Sequence, residues 1–487
     1  MIRKILEFFK DSAVYGVGQL INKVLQILLL PLIFIYLNKI QFGVLDYFLS
    51  LINILSVFFG LGIITGLQRF EFDRKSYNFN EVISSSFLIL SCNLIFIIPL
   101  LYFRNSISIF LIGDDYSFDF TMVILISSIS AFNSIPLGVL RVKRKPFLFL
   151  SVTLTNFIFY LSSTYFLIST TNLNYKSFLW GGIIGITLSF FVGLYHIREY
   201  LIIKIDFKLI KSMLRFSLAI LLTSLTTILL SSSNRIFIKM ASGFDELATL
   251  GMASRFSNII GGLILAPFTL AWLPYLNSLV DHSRFQEIIN KLFDYITVLF
   301  TFFILLISLF SIVIINLIGG SEYASSYYLI PAFSLNFLFL SYYYFFAGAL
   351  YLRKQTSRYI IIAVIVTVFN TTLYLVLLNV MNIVTATIIT SSSYVLLFLL
   401  AYHLSNRMFE VNVFKKNRIL FYIAFILLIL ADQCISYYSN DESILLVSKL
   451  IITTSFISIV LLLRLITNKD LKILYKTMSN KIITNNI

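Results

Sequence analysis

The sequence predicts an all-helical polytopic membrane protein with about 14 transmembrane helices, in two six-helix lobes related by a parallel repeat plus a C-terminal helix pair. Three observations support this fold class. Hydrophobic residues make up 59% of the 487 residues and charged residues 12%, with a mean hydropathy of +0.93. The apolar residues form long continuous runs, and the basic residues cluster in alternate breaks between those runs. Soluble domains do not combine these features.

The apolar runs are each long enough to cross a hydrocarbon core of about 30 Å as a helix. The first six predicted spans lie roughly at 12–37, 43–67, 82–103, 120–140, 147–170 and 177–197. The remaining eight lie roughly at 213–238, 247–273, 292–317, 325–350, 359–380, 383–404, 419–438 and 444–466. Membrane strands are not expected, because these runs do not alternate with the short period of a β-barrel.

The distribution of lysine and arginine predicts the orientation of the chain. With a cytoplasmic N-terminus, most of the 37 basic residues fall in the inner loops and the two tails. The outer side and its helix ends hold Lys39, Arg104, Lys176, Arg235, Lys239 and Lys449. We therefore expect a multi-pass membrane protein with both termini in the cytoplasm. The net charge of +15 is explained by topology, so nucleic acid is not an expected partner.

The two halves of the chain are similar to each other at an offset of 205 residues, which places Gly43–Leu55 over Ala248–Ile260. Because both halves keep the same orientation, the predicted repeat is parallel. The predicted lobes are residues 1–200 and 201–404, and residues 405–487 form the extra helix pair and a basic tail. The basic connector Ile197–Arg215 is expected to form a short amphipathic helix at the inner surface.

The first apolar run contains a lysine, Lys23, near its middle. Insertion of such a charge into a bilayer costs about 2.5 to 3.5 kcal/mol, so the residue needs a function or a partner. Polar residues recur at helical spacing around it, at Tyr15, Gln19, Asn22 and Gln26. One face of this helix is therefore expected to contact water, protein or a ligand.

Further polar residues extend this pattern into the second, seventh and eighth predicted spans. The cationic candidates for an anionic ligand are Lys23, Arg255, Arg235 and Arg69. The amide candidates for sugar hydroxyls are Gln19, Asn22, Asn53, Asn234 and Asn258. Simpler roles compete: Arg235 can extend to the interface, Arg69 can anchor the inner end of its span, and buried amides can join helices.

Three stretches resemble the polysaccharide-exporter branch of the multidrug/oligosaccharidyl-lipid/polysaccharide flippase superfamily. They are GQLINKVLQILLLPLIFIYL in the first span, GLQRF after the second, and SNRIFIKMASGFDELATLGMASRFSNI in the second half. Many relatives have an aspartate where this chain has Asn234. The resemblance implies a central cavity, lined mainly by the first, second, seventh and eighth helices, that opens alternately to the two sides of the membrane.

The resemblance implies that the protein is a flippase for a polyprenyl-diphosphate-linked oligosaccharide. Such a cargo is an O-antigen or capsule repeat unit of lipopolysaccharide or polysaccharide biosynthesis. The expected partners of the protein are this lipid-linked glycan, membrane lipids and other membrane proteins of glycan assembly. One alternative is a cation-coupled multidrug exporter of the same superfamily, which needs buried carboxylates. The acids of the spans, such as Asp46 and Asp432, lie near span ends, which favours an anionic substrate.

A less favoured alternative is a polytopic glycan polymerase or glycosyltransferase. Those enzymes need a sizeable loop with catalytic residues, and the predicted outer loops here are short. The three histidines are far apart in sequence, and no phosphate-binding GxxxxGK[ST] motif is present. We therefore expect a protein that is not an enzyme and that needs no metal or cofactor.

Overall fold

The computed structural model describes nine ranges of the chain. These are residues 29–72, 78–113, 116–202, 204–279, 283–318, 320–353, 356–405, 408–438 and 441–466. Within them the regular structure consists of helices, which confirms the predicted all-helical class. The first predicted span lies mostly outside the described residues, as do three of its predicted site residues, Gln19, Asn22 and Lys23.

The first half of the described chain contains nine α-helices. They are α1 (Leu30–Tyr36), α2 (Lys39–Gly60), α3 (Ile63–Phe72), α4 (Phe79–Ser91), α5 (Leu94–Tyr102), α6 (Arg104–Ile112), α7 (Ser117–Val142), α8 (Pro146–Thr170) and α9 (Lys176–Ile197). The side chain of Asn38 begins α2 by accepting a hydrogen bond from the backbone amide of Gln41 (2.9 Å). The Gln41 side chain accepts one from the Asn38 amide in return, which completes a capping box.

The second half begins with a 54-residue helical stretch, α10 (Phe207–Ile260), in which two helices meet at a kink at Gly243. The helices that follow are α11 (Ala266–Leu279), α12 (Phe285–Ile318), α13 (Ile330–Leu352), α14 (Thr356–Val376), α15 (Ile383–Ser405), α16 (Lys416–Tyr438) and α17 (Glu442–Leu462). A π-helical turn, Gly261–Leu265, joins α10 to α11. Short 3-10 helices follow α9 at Arg198–Tyr200, precede α13 at Ser321–Leu329 and follow α14 at Leu378–Val380.

One backbone break departs from the predicted spans, and a second falls between two of them. The predicted second span is divided after Gly60, where Leu61 (φ 48°) and Gly62 (φ 66°) adopt the left-handed conformation that favours glycine. A Cβ at Gly62 would also lie 2.6 Å from the Ser217 carbonyl oxygen, so this turn lets α3 approach α10 closely. In α10 the only residue with non-helical angles is Gly243 (φ 83°, ψ −170°), where we had predicted a loop between the seventh and eighth spans.

Eleven helical stretches of the described chain are long and apolar enough to cross a membrane. One of them, Phe207–Asn277, contains 71 residues, far more than one crossing of about 30 Å requires. The break at Gly243 lies within it, where two of the predicted spans meet. A twelfth apolar helix, Ile360–Val376, is shorter. The protein is therefore a multi-pass membrane protein, and the count of 14 spans stays a prediction.

The described chain divides into two compact units. The first comprises the described residues up to Met252 together with Ile360–Ser393. Within it, Asn133 of α7 donates to the Ser189 hydroxyl of α9 (3.2 Å), which in turn donates to the Val152 carbonyl of α8 (2.9 Å). These hydrogen bonds join three apolar helices, where a polar side chain has few other partners.

The second unit comprises the described residues of Ala253–Tyr359 and those from Tyr394 onwards. The Arg418 guanidinium of α16 donates to Asp294 of α12 through Nε (2.7 Å) and lies over the Phe293 ring. The Tyr342 hydroxyl lies 2.8 Å from that of Thr297 and 3.2 Å from that of Tyr422. These contacts attach the C-terminal helix pair to α12 and α13. The three-part division into residues 1–200, 201–404 and 405–487 stays a prediction.

The connector after α9 corrects one prediction. Residues Arg198–Tyr200 form a single 3-10 turn, and the described residues from Leu201 to Asp206 have no regular structure. The helix α10 begins at Phe207, where the Asp206 carboxylate accepts a hydrogen bond from the Lys208 amide (2.8 Å). The expected amphipathic helix over Ile197–Arg215 is therefore wrong, because this N-cap starts a new helix within the connector.

Candidate functional site

The candidate site is centred on Arg235, one of the sequence-predicted residues, which lies in α10 within the first unit. Its Nε donates to Oδ2 of Asp46 in α2, at a distance of 3.1 Å. Both residues are buried, with exposed fractions of 9% and 5%. The positive charge of Arg235 is thus compensated inside the protein. The contact of Arg235 with substrate stays a prediction. The simpler role, in which the side chain extends to the membrane interface, does not agree with its burial.

The guanidinium of Arg235 is also held by its own helix. Its Nη1 donates to the carbonyl oxygen of Ser231 and to Oδ1 of Asn234, each at 3.1 Å. Asn234 is buried as well, and its Nδ2 has no hydrogen-bond partner among the described residues. The adjacent Ser233 donates to Asn370 of α14 (2.9 Å). Asn234 therefore orients the arginine with its oxygen while keeping an unused amide donor.

Two glycines allow α2 to approach the part of α10 that follows Gly243. A Cβ at Gly43 would lie 2.1 Å from the carbonyl oxygen of Phe244, and one at Gly251 would lie 2.8 Å from Oδ2 of Asp46. Real Cβ atoms do not approach other atoms so closely. At Gly43 the obstructing atom is backbone, so a larger residue requires movement of a helix, whereas at Gly251 it is the Asp46 carboxylate, which would have to shift. The Asp46 carboxylate is thus enclosed by the Arg235 guanidinium on one side and Gly251 on another.

A more exposed ion pair lies at the N-terminal end of α2. Lys39 Nζ contacts Oδ2 of Asp245 at 2.8 Å, with 19% and 58% of the two side chains exposed. The ammonium group of Lys239 lies 5.3 Å from the centre of the Phe244 ring. The charge distribution of the sequence predicts that these residues face the outer side of the membrane.

Arg255 and Asn258 belong to the second unit and are half-buried. Together with Gly251 they occupy positions i, i+4 and i+7 of α10, which share one face of a helix. The neighbouring Ser257 projects from another face and donates to the Ile330 carbonyl of α13 (3.1 Å). The polar stripe predicted from the sequence is therefore consistent with the helical backbone, while the roles of Arg255 and Asn258 stay predictions.

The last two predicted residues, Asn53 and Arg69, are exposed. Asn53 lies on α2, two turns beyond Asp46. The Arg69 guanidinium in α3 lies 4.3 Å from the centre of the Phe216 ring of α10, a cation–π contact. This contact supports the simpler role of Arg69 as an anchor at the end of its span. Among the described residues, no contact joins Arg69 to the Asp46–Arg235 pair.

Sequence reasoning missed Asp46 as the partner of Arg235. We expected no carboxylate to compensate the buried cations, because Asp46 lies early in its predicted span. The 205-residue repeat contained a usable signal, since this offset aligns Asp46 with Gly251, and the two residues are in contact. Equivalent residues of a two-fold repeat meet where the symmetry axis passes between them.

The electrostatic character of the site follows from these contacts. A buried arginine and aspartate together carry no net charge, and neither is stable in an apolar environment without the other. Among the described residues no group of three or more His, Cys, Asp and Glu side chains could hold a metal ion. The site offers charge-assisted hydrogen bonds and amide donors, which suit binding and conformational coupling.

Comparisons with known proteins agree with this architecture. Residues 8–280 match the sequence profile of a family described as polysaccharide biosynthesis protein. No curated protein matches the sequence. Among solved structures, one described as the lipid II flippase MurJ in an inward closed conformation has 16% identity and a TM-score of 0.66. That similarity covers 94% of this chain and 98% of the other.

Other similar structures are described as transporters of the MOP superfamily. An inward-facing multidrug resistance MATE family transporter of the MOP superfamily has 14% identity and a TM-score of 0.64, covering 80% of this chain and 96% of the other. A MOP superfamily transporter from Pyrococcus furiosus, described as having a binding pocket of reverse polarity, has 12% identity and a TM-score of 0.52 over 82% and 96% of the chains. At these identities the likeness establishes the fold.

Proposed function

Because the chain belongs to the polysaccharide biosynthesis protein family, we propose that it is a flippase that moves a polyprenyl-diphosphate-linked oligosaccharide across the bacterial inner membrane. The cargo is an O-antigen or capsule repeat unit. The protein acts as a transporter and performs no catalysis, with both termini in the cytoplasm. The family match over residues 8–280 is the observation on which the proposal rests.

The MOP-type fold supports a carrier mechanism. The similar structure described as a lipid II flippase is covered over nearly its whole length, which shows that this fold accommodates a protein with such a function. For the present chain, the class of cargo is inferred from its own residues. A diphosphate head requires cationic side chains within the membrane, and a glycan requires amide and hydroxyl partners.

We assign the diphosphate site to Lys23 and Arg255, with Arg235 as a further member. Lys23 lies in an apolar run where a charge without a partner is costly. Arg235 already has a carboxylate partner, so a substrate phosphate reaches it only in competition with Asp46. The amides Gln19, Asn22, Asn53, Asn234 and Asn258 are proposed partners of the sugar, and Arg69 assists at the inner end.

The contacts of Asp46 suggest how the translocation path for the substrate is closed on one side of the membrane. In the proposed cycle, α2 and the segment of α10 after Gly243 separate when the path opens outward. In the present structure Gly43 and Gly251 hold these two helices in direct contact. The Asp46–Arg235 pair adds an ionic contact to this closed arrangement, and an anionic head group is a natural competitor for it.

The alternative within the superfamily is a cation-coupled multidrug exporter. The neighbour described as a multidrug resistance MATE family transporter supports this alternative, and Asp46 is a buried carboxylate of the kind that a cation-coupled exporter needs. However, the Arg235 guanidinium already neutralises Asp46, which disfavours binding of a further cation there. Drug resistance conferred by the intact protein and lost in Asp46→Asn would favour the exporter.

Deletion of the gene in its native host tests the proposed function. We expect surface glycan to be lost and the lipid-linked precursor to accumulate on the cytoplasmic side, because synthesis continues without translocation. Re-expression of the wild-type protein should restore surface glycan. Loss of the precursor itself in the deletion strain would instead indicate an enzyme of glycan synthesis and would overturn the assignment.

Reporter fusions test the predicted topology. A fusion after Lys145 should report the cytoplasm, and a fusion after Asp115 should report the outer side, because basic loops are retained inside. A cytoplasmic signal at Asp115 would contradict the predicted arrangement of the spans.

A further inference from the structure

The connector between α9 and α10 exposes apolar and basic side chains together. Its most exposed apolar residues are Ile202 (50%), Ile205 (49%) and Phe207 (78%). Its exposed basic residues are Lys204, Lys208 and Lys211. We call these six side chains the connector surface. Exposure of such large apolar side chains to water is unfavourable, whereas a segment in a membrane interface is stabilised when these side chains enter the bilayer.

The position of the connector restricts what it can contact. Only residues 201–206 separate the candidate spans Lys176–Tyr200 and Phe207–Asn277. A segment this short, joining two helices that cross the bilayer, lies at the membrane surface. The apolar side chains are therefore within reach of the acyl chains, and the lysines within reach of the head groups.

Neighbouring contacts fix the connector backbone. The Ser84 hydroxyl donates to the Ile202 carbonyl (2.7 Å) and accepts from the Lys204 amide (3.4 Å). On the following helix, Leu209 and Met213 are fully buried. Because the backbone is held on one side by these contacts, the exposed side chains project from the other side as a defined surface.

A second basic segment joins the same surface. The Lys143 ammonium lies 3.6 Å from the centre of the Phe79 ring and 5.2 Å from that of Tyr200. The Lys145 ammonium lies 5.7 Å from the Tyr200 ring, and the rings of Phe79 and Tyr200 are in edge contact at 5.6 Å. These cation–π contacts bring the basic loop after α7 to the start of the connector and enlarge the positive region.

Two acidic residues, Glu199 and Asp206, lie among the five basic residues from Arg198 to Arg215, so this segment keeps a positive charge. Asp206 directs its Oδ1 to the backbone amide of Lys208 at 2.8 Å and to that of Leu209 at 3.4 Å. Its carboxylate therefore serves as the N-cap of α10. A cluster of lysines beside exposed apolar side chains at a membrane surface combines the two attractions of anionic lipid binding, electrostatic and hydrophobic.

We propose that the connector surface binds anionic phospholipid head groups, such as phosphatidylglycerol, in the leaflet that it faces. Ile202, Ile205 and Phe207 insert between the lipids, and Lys204, Lys208 and Lys211 contact the phosphates. This binding holds the link between α9 and α10 against the membrane. The proposal concerns bulk lipid and is independent of the transported substrate.

An environment-sensitive fluorophore on Ile205→Cys tests the proposal, in a Cys92→Ser/Cys434→Ser background because both native cysteines are exposed. The full-length protein in neutral detergent is titrated with phosphatidylglycerol or phosphatidylcholine in mixed micelles. We expect a blue shift at low fractions of phosphatidylglycerol and a much weaker response to phosphatidylcholine. Added salt should weaken the response, since it screens the lysine charges.

The charge variant is Lys204→Gln/Lys208→Gln/Lys211→Gln, which keeps side-chain length and removes the charges. Each basic residue near an anionic surface strengthens binding by about fivefold, so the half-maximal lipid fraction should rise at least tenfold. The matched control, Lys415→Gln/Lys416→Gln, removes exposed charges from the second unit and should leave the midpoint unchanged.

Three outcomes would overturn the proposal. The first is an equal response to the two lipids, and the second is an unchanged midpoint in the triple variant. The third is an equal response to inorganic phosphate at matched ionic strength, which would indicate a site for free phosphate. A Phe207→Ser variant tests the apolar part separately, because it should reduce the blue shift while retaining the preference for the anionic lipid.

Discussion

The buried pair Asp46–Arg235 provides the most quantitative prediction. At 3.1 Å and an effective dielectric constant of about 20, two unit charges attract each other by about 5 kcal/mol. Burial of both side chains offsets much of this attraction in the intact pair, but a single buried charge left by substitution loses the attraction and keeps its desolvation cost. We therefore expect Asp46→Asn and Arg235→Gln each to lower the free energy of unfolding by about 3 to 5 kcal/mol.

The double variant Asp46→Asn/Arg235→Gln distinguishes an ionic contact from simple packing. Because it leaves neither charge buried, its cost should be well below the sum of the single costs, with a coupling of about 2 kcal/mol or more. Reversible unfolding in mixed micelles of detergent and dodecyl sulfate gives the free energies of unfolding. Circular dichroism of each purified variant checks that the helices are retained.

The exposed pair Lys39–Asp245 is the matched control, since it joins similar groups at 2.8 Å in a more exposed position. Exposed pairs contribute about 0.2 to 1 kcal/mol, so Lys39→Gln and Asp245→Asn should have small effects. Additive single costs at Asp46 and Arg235, or costs no larger than those of the control pair, would refute the assignment of a buried ion pair.

Three further predictions concern Gly43, Arg418 and Lys23. Gly43→Ala should strongly reduce accumulation of folded protein, measured by fluorescence-detected gel filtration, because its Cβ would lie 2.1 Å from a backbone oxygen. Gly60→Ala, whose Cβ meets no described atom within 4 Å, should accumulate normally. Arg418→Gln should cost about 1.5 to 3 kcal/mol in the same unfolding assay, since Asp294 loses a charge-assisted hydrogen bond, and an unchanged stability would contradict that role. Lys23→Arg should retain more surface glycan than Lys23→Gln at equal abundance, because the proposed contact requires charge.

The sequence was sufficient to predict the fold class, and the family resemblance is confirmed by the match over residues 8–280. Both rest on properties that are distributed along the chain, namely long apolar runs and recurring short stretches. The predicted boundaries were less accurate where one backbone conformation decides the outcome. At Leu61 and Gly62 a tight turn divides an expected span, whereas the kink at Gly243 falls between two expected spans.

The site was only partly predictable. Helical spacing identified Asn234 and Arg235 as polar residues of one span, and both are buried. The partner of Arg235 lies 189 residues away in sequence, and apolar periodicity carries no information on such a pairing. The alignment of Asp46 with Gly251 in the internal repeat was a relevant observation, but its meaning depends on knowing that the two helices approach each other there.

Translocation in proteoliposomes tests the central claim most directly. The purified protein is reconstituted with a fluorescent polyprenyl-diphosphate oligosaccharide, and transfer between leaflets is measured by the accessibility of the glycan to an added glycosidase. We predict transfer by the wild-type protein, much slower transfer of the corresponding monophosphate lipid, and loss of transfer in Lys23→Ala/Arg255→Ala. Equal transfer of both lipids by the double variant and the wild-type protein would contradict a cationic site for the diphosphate.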